Sequence, residues 1–288
     1  MSTLQEVKKR IKSVEKTKKI TNAMQMVAAA KLYKASDKLN KARDLFEEVY
    51  SIVSNLNVFM FPQENILWQG KPEVKKIGIV VISSDKGLCG SSNTFIMQKM
   101  NNFIELKKNV NIVMIGKKGI AYAKKRNLPL IMEKQDFLSD VSQEMVDAFY
   151  AEIKKLYLED QVDEIHLLYN KFFSRMTQKP VIKRLFPIFP LEVFSGDNLK
   201  QKSLDYLLEP SEGAVIDKMI EMFAKSFIYK AFCESVVSEE SARMNAMRSA
   251  TDNAEKMIAE LVLSFNRVRQ AVITKEIVEI ISAVEALG

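Results

Sequence analysis

The chain has 288 residues, 47% of them hydrophobic, and a formal net charge of +7 from 43 Lys and Arg against 36 Asp and Glu. That length can bury a sizeable core in one or two domains, and no run of 18 apolar residues is present to span a membrane. Cys89 and Cys233 are isolated and His166 is the one histidine, which excludes a disulfide framework, a zinc site and a multi-histidine metal centre.

The N-terminus lacks an apolar segment of signal-peptide type, so the expectation is a soluble intracellular protein. Residues 1–58 contain neither Gly nor Pro and read as one long helix. Its apolar seam begins Leu4, Val7, Ile11, Val14 and passes through Thr17, Thr21, Met24 and Ala28. It strengthens again at Leu39, Ala42, Phe46, Val49, Val53 and Leu56. From Met1 to Arg43 there are twelve Lys and Arg against Glu6, Glu15 and Asp37, a local balance of +9. Such a segment implies an acidic partner or, more blandly, a solvated helix face.

Pro62, Gly70 and Pro72 mark a linker, after which the pattern changes. Ile77–Ile82 is a continuous apolar run, a buried strand signal. A helix at 93–107, a strand at 111–115, a helix after Gly116 to Arg126 and a strand at 128–132 follow. A helix at 141–158 and strands at 164–169 and 181–186 complete the series, ended by Pro187 and Pro190. Alternating strands and helices predict an α/β layer with a largely parallel sheet. Ser211 offers an N-cap for the last helix.

Residues 214–287 again lack Pro and Gly. Ala250, Ala254, Ile258, Leu261, Phe265, Val268 and Val272 recur at steps of three and four, and Ile273, Ile277, Ile280, Val284 and Leu287 continue the rhythm one position on. This period near 3.5 is that of a coiled coil. An unbroken helix of that length would span roughly 110 Å and project from any compact domain. The expected organisation is a helix over 1–60, an inserted α/β domain over 75–210, and a helix over 211–288 that pairs antiparallel with the first.

The stretch Ser83–Ser92 follows the first strand, where an α/β fold can cradle phosphate, but it matches neither the P-loop nor the dinucleotide fingerprint. A turn explains Gly87 and Gly90. Cys89 reads as a small buried residue and His166 as structural, since no nucleophile–base pairing is legible. Met24, Met26, Met244 and Met247 read as core fillers. The polar signal lies on the last helix, where Gln270 and Thr274 are i,i+4 neighbours and Arg269 and Glu276 lie a heptad apart. No catalytic site is evident.

Three groups of motifs carry a resemblance. They are Arg10–Ala30 with Ser84-Asp-Lys-Gly-Leu-Cys-Gly90; Ser241-Ala-Arg-Met-Asn-Ala-Met247 with Ala250-Thr-Asp-Asn-Ala254; and Arg269-Gln-Ala-Val-Ile-Thr-Lys-Glu276. In order and placement they resemble the gamma subunits of F-type ATP synthases, in their bacterial form. The resemblance implies an antiparallel coiled coil of terminal helices plus an inserted Rossmann-like three-layer α/β domain. It implies a non-catalytic rotor that couples c-ring rotation to ATP synthesis or hydrolysis and helps regulate ATPase activity and ion flow. It holds no cofactor of its own; ATP, ADP and Mg belong to the alpha and beta subunits, three of each. The other implied partners are an epsilon subunit and the membrane c-ring, with the chain peripheral on the cytoplasmic face of the cell membrane.

Carried over by motif, Arg269, Gln270, Thr274, Glu276 and Met24 face the beta subunits, and Tyr206 and Glu209 face the c-ring and epsilon subunit. Basic side chains suit acidic beta-subunit levers, and an apolar tip, Ile280 to Leu287, suits rotation in an apolar collar because dispersion is non-directional. The chain departs from the family at Ser91 and Ala283, where Gly is common, and its cysteines do not match the regulatory pair of the chloroplast form. Rival readings are a basic coiled-coil nucleic-acid binder and an α/β enzyme with a nucleotide at 85–93. A V-type shaft is a third, but it lacks the inserted domain.

Overall fold

The computed structural model describes residues 4–55, 65–188, 209 and 211–287. Eleven elements lie among them. Helix α1 (Leu4–Asn55) and the one-turn α2 (Ile66–Gln69) precede β1 (Ile77–Ile82), α3 (Ser92–Leu106), β2 (Val110–Ile115), α4 (Lys117–Lys125) and β3 (Leu130–Lys134). Then come α5 (Gln143–Leu158), β4 (Glu164–Phe172), β5 (Gln178–Phe186) and α6 (Glu212–Leu287). Contacts divide the chain into two compact units, Met1–Ala29 with Arg243–Gly288, and Ala30–Ala242.

The 30–242 unit is built on a five-stranded sheet of order β3-β2-β1-β4-β5. The first four strands run parallel and β5 returns antiparallel to β4. β1 is buried at every residue, as its unbroken apolar run requires when both sheet faces are covered. On one face Ile79, Val81, Ile112, Met114 and Leu168 pack against Ile96, Met97 and Met100 of α3 and Ile120 and Ala123 of α4. On the other, Tyr150 and Tyr157 of α5 meet Phe186 at 6.3 and 5.5 Å, and Phe149 meets Phe232 of α6 at 5.2 Å. The three layers expected are present.

Local chemistry fixes the element ends. Ser142 Oγ accepts from Met145 N to cap α5. Asn127 and Asp160 take positive φ after α4 and α5, and Leu128 N and Gln161 N then bond back to Ala123 O and Leu156 O. Those are helix-ending Schellman turns. Asn127 therefore displaces the third strand to Leu130–Lys134, later than the 128–132 expected. Ser211 caps α6 as read, its Oγ accepting from Ala214 N at 3.4 Å.

Within this unit α1 and α6 run antiparallel. Arg43 pairs with Glu234 at 2.9 Å, and Phe46 meets Phe227 and Phe223 at 5.8 and 5.5 Å. Leu39, Ala42, Val49 and Val53 of the expected seam are buried, and Leu56 lies outside the described residues.

In the other unit, Thr21 Oγ1 lies 2.7 Å from Thr251 Oγ1 and Lys18 pairs with Glu255 at 2.9 Å, so the two helices are antiparallel there too. Val7, Thr21 and Ala28 of α1 and Ala254 of α6 are buried; Ala250, Ile258, Leu261, Phe265 and Val268 are half-buried. Two expectations need correction. Thr17 faces solvent, because the seam steps from Val14 to Lys18 and Thr21, and its hydroxyl donates to Ser13 O instead. Met26 is 62% exposed rather than a core filler.

Candidate functional site

The loop after β1 is the first place to look for chemistry. Sheet order reverses between β1 and β4, the position where open α/β sheets bind ligands beyond their carboxyl ends. Here that crevice is filled. Asn93 Nδ2 donates to Ser84 Oγ at 2.6 Å, Ser84 N donates to Asn93 Oδ1, and Asn170 Nδ2 donates to Ser92 Oγ at 2.7 Å. Ser238 Oγ of α6 closes it by donating to Asn170 O at 2.8 Å. Between Ser84, Asn93 and Asn170 about 10 Å³ remains, the room of a single water rather than a nucleotide, while a cavity of about 360 Å³ opens on the other side of the loop, beside Asp85, Lys86 and Asp136. Asp85 is engaged as well, accepting from the backbone N–H of Lys117 and Asp136.

The other candidates are equally quiet. Cys89 and Cys233 are buried, and burial pushes the Cys233 thiol up to about 11. His166 packs at a tilt against Phe103, centroids 5.2 Å apart, with Nε2 3.1 Å from Glu164, and burial lowers its pKa. Among the described residues no group of three His, Cys, Asp or Glu could hold a metal, and no helix is long and apolar enough to cross a membrane.

The surface that stands out is the end of α6. Pairing of residue 18 with 255 and of 21 with 251 brings the start of α1, Leu4, level with about residue 269. Beyond that level α6 has no partner helix among the described residues, and every residue from 269 to 283 is exposed. Val272, Ile273, Ile277, Val278, Ile280 and Ile281 are between 42% and 64% exposed. Their coiled-coil rhythm is intact, although no described residue of α1 reaches their level.

Arg269 and Glu276 fall on one stripe of this segment and Gln270 and Thr274 on the next, all exposed, with Thr274 Oγ1 donating to Gln270 O at 2.9 Å. Met24 is half-buried on α1, at the level of about residue 248, so roughly 30 Å of helix separates it from Arg269. Glu209 is exposed in a bend, and Tyr206 lies outside the described residues. The basic side chains of Lys8, Lys9, Arg10, Lys12, Lys16 and Lys19 all face solvent on α1.

Comparison with known proteins decides the family. A family model described as ATP synthase matches residues 3–287. The gamma chain of the ATP synthase of Heliobacterium modesticaldum is 39% identical over 292 residues, with 100% of each chain covered. The chain belongs to the ATP synthase gamma-chain family. The gamma chain of Brevibacillus brevis is 37% identical with 98% of each covered, and that of Polynucleobacter asymbioticus 34% with 100% of each. In a cryo-EM structure of the Euglena gracilis mitochondrial ATP synthase, one chain matches the fold with a TM-score of 0.69 at 19% identity. That match covers 99% of this chain and 94% of the other. The nucleic-acid reading draws no support from these relatives.

Proposed function

We propose that this chain is the central-stalk rotor of an F-type ATP synthase. It passes rotation between a membrane c-ring and the ATP sites of surrounding alpha and beta subunits, and so couples ion flow to ATP synthesis or hydrolysis. The observation that carries the reading is the end of α6, unpaired among the described residues, where exposed isoleucines and valines adjoin the polar stripe of Arg269, Gln270, Thr274 and Glu276. A helix in water covers such residues; one that ends inside a partner leaves them for the partner to cover.

The chain itself performs no chemistry in this reading. Apolar contact at 272–281 gives attraction without a fixed bond, so it survives turning. The stripe at 269–276 supplies hydrogen bonds that engage one beta subunit at a time, and the basic face of α1 with Met24 adjoins acidic levers of the same subunits. Tyr206 and Glu209 meet the c-ring and the epsilon subunit, through which ATPase activity is regulated. The chain would then lie peripheral to the membrane on its cytoplasmic face.

Co-expression with alpha and beta subunits tests the reading. The expected product holds one copy of this chain with three of each, and its ATPase activity falls on combining Arg269→Ala with Gln270→Ala. Recovery of the chain free of both subunits would overturn the role; recovery with unchanged activity would overturn the choice of residues.

A further inference from the structure

Helix α6 changes character within the 30–242 unit. From Ile216 to Cys233 its buried side chains are apolar, Ser226 apart, and the Ser226 hydroxyl donates within the helix to Phe223 O. From Glu234 to Ser241 the buried side chains are Glu234, Ser235, Ser238, Glu240 and Ser241, with Val237 the one apolar exception. The same sheet is thus met first by an apolar helix face and then by a polar one.

The polar face grips the backbone of the β4–β5 hairpin. Ser238 Oγ donates to Asn170 O and Ser241 Oγ to Arg175 O, each at 2.8 Å. Arg43, held by Glu234, donates to Phe172 O at 2.8 Å. From the hairpin side, Gln178 Nε2 donates to Ser241 Oγ at 3.4 Å. Positions 234, 238 and 241 lie a turn apart on one face of α6, and both serines are 0% exposed. Apolar side chains hold a helix on a sheet without help, as they do before residue 234. A buried hydroxyl recovers its lost hydration only at the right distance and angle, so what it adds is position rather than attraction. Turning α6 about its axis, or sliding it, breaks these bonds, whereas dispersion contacts tolerate a small slip.

We propose that this seam is the joint that passes torque between the α/β sheet and α6, with Ser238 and Ser241 as its positioning residues. The proposal rests on the rotor role argued for the chain. Directional bonds stand where the helix must not slip, and non-directional apolar contact stands at 272–281, where it must turn.

Ser238→Ala combined with Ser241→Ala removes both hydroxyls and leaves good helix formers. Val237→Ala is the control, since Val237 is also 0% exposed and its truncation opens a cavity without removing a hydrogen bond. In the free chain, amide exchange across residues 172–178 speeds by about tenfold in the serine variant, as losing two net hydrogen bonds implies, and by less in Val237→Ala. In the complex with alpha and beta subunits, a covalent link from Ile280→Cys to one beta subunit holds the end of α6. A bead on Leu106→Cys, a position 81% exposed, then reports the angle of the sheet. Its angular variance rises about twofold in the serine variant, because variance is inverse to stiffness and two directional ties are gone, and holds in Val237→Ala. Unchanged variance in the serine variant, or equal widening in Val237→Ala, overturns the proposal. A wild-type chain that does not join the alpha and beta subunits contradicts the rotor role and with it the torque, whereas the exchange rates still decide whether the hydroxyls grip the hairpin. Should the serine pair fail to fold, Ser241→Ala alone is read in the same way.

Discussion

Arg43 donates through both Nε and a terminal amino group to Glu234 Oε1, and the same amino group donates to Phe172 O. The Glu234 side chain is only 2% exposed. Removing Arg43 leaves a carboxylate in the core without its cation, so Arg43→Ala is expected to cost about 2–4 kcal/mol in chemical denaturation, and Arg43→Lys less. Asp163 carries a pH dependence. Burial works against its charge, but the N–H groups of Lys75 and Lys76, each at 2.9 Å, and Lys71 at 3.1 Å outweigh that and hold its pKa low. A carboxyl held low in the folded state contributes stability that is present above its unfolded pKa and lost as pH falls through the folded one. Asp163→Asn is therefore expected to cost about 2 kcal/mol at neutral pH and to flatten the loss of stability below pH 4, read from denaturation midpoints across pH.

Elements are governed by periodicity and by a few backbone positions. Gly116, at φ +96, starts α4 where a Cβ would sit 2.2 Å from Ser83 O. Neither atom can yield without opening the β1–β2 pairing, so Gly116→Ala is expected to lower stability by about 3 kcal/mol or more in thermal unfolding. The helices were legible because long runs without Gly or Pro carry one seam, and β1 because six apolar residues in succession demand cover on both faces. The displaced β3 was not legible, since Asn127 ends α4 through a left-handed turn that many residues could adopt less well. Thr17 misled because threonine and lysine stems are both admissible at a weak seam, and the choice of Lys18 depends on Glu255 across the pair. The α2 turn was hidden by its length. The candidate surface was half legible: residues 269–276 could be read as a polar stripe, but which part of α6 the described residues of α1 cover depends on a register set by Thr21 and Thr251.

Across the chain, residues that hold the fold are distinct from residues that serve a partner. Ile277 and Ile280 are 51% and 64% exposed, so replacing either by Ser is expected to change the isolated chain's stability by less than about 0.5 kcal/mol. In the assembled complex the same changes are expected to lower ATP turnover, because there the side chains are covered. A loss of stability in the free chain would mean that the segment packs against the chain itself. Rotation tests the shaft role directly. With alpha and beta subunits fixed to a surface and a bead attached to an exposed residue of the 30–242 unit, ATP should turn the bead one way in steps of a third of a turn. A covalent link from this chain to one beta subunit should stop both rotation and turnover. Turnover that continues unabated with the link in place would contradict the account.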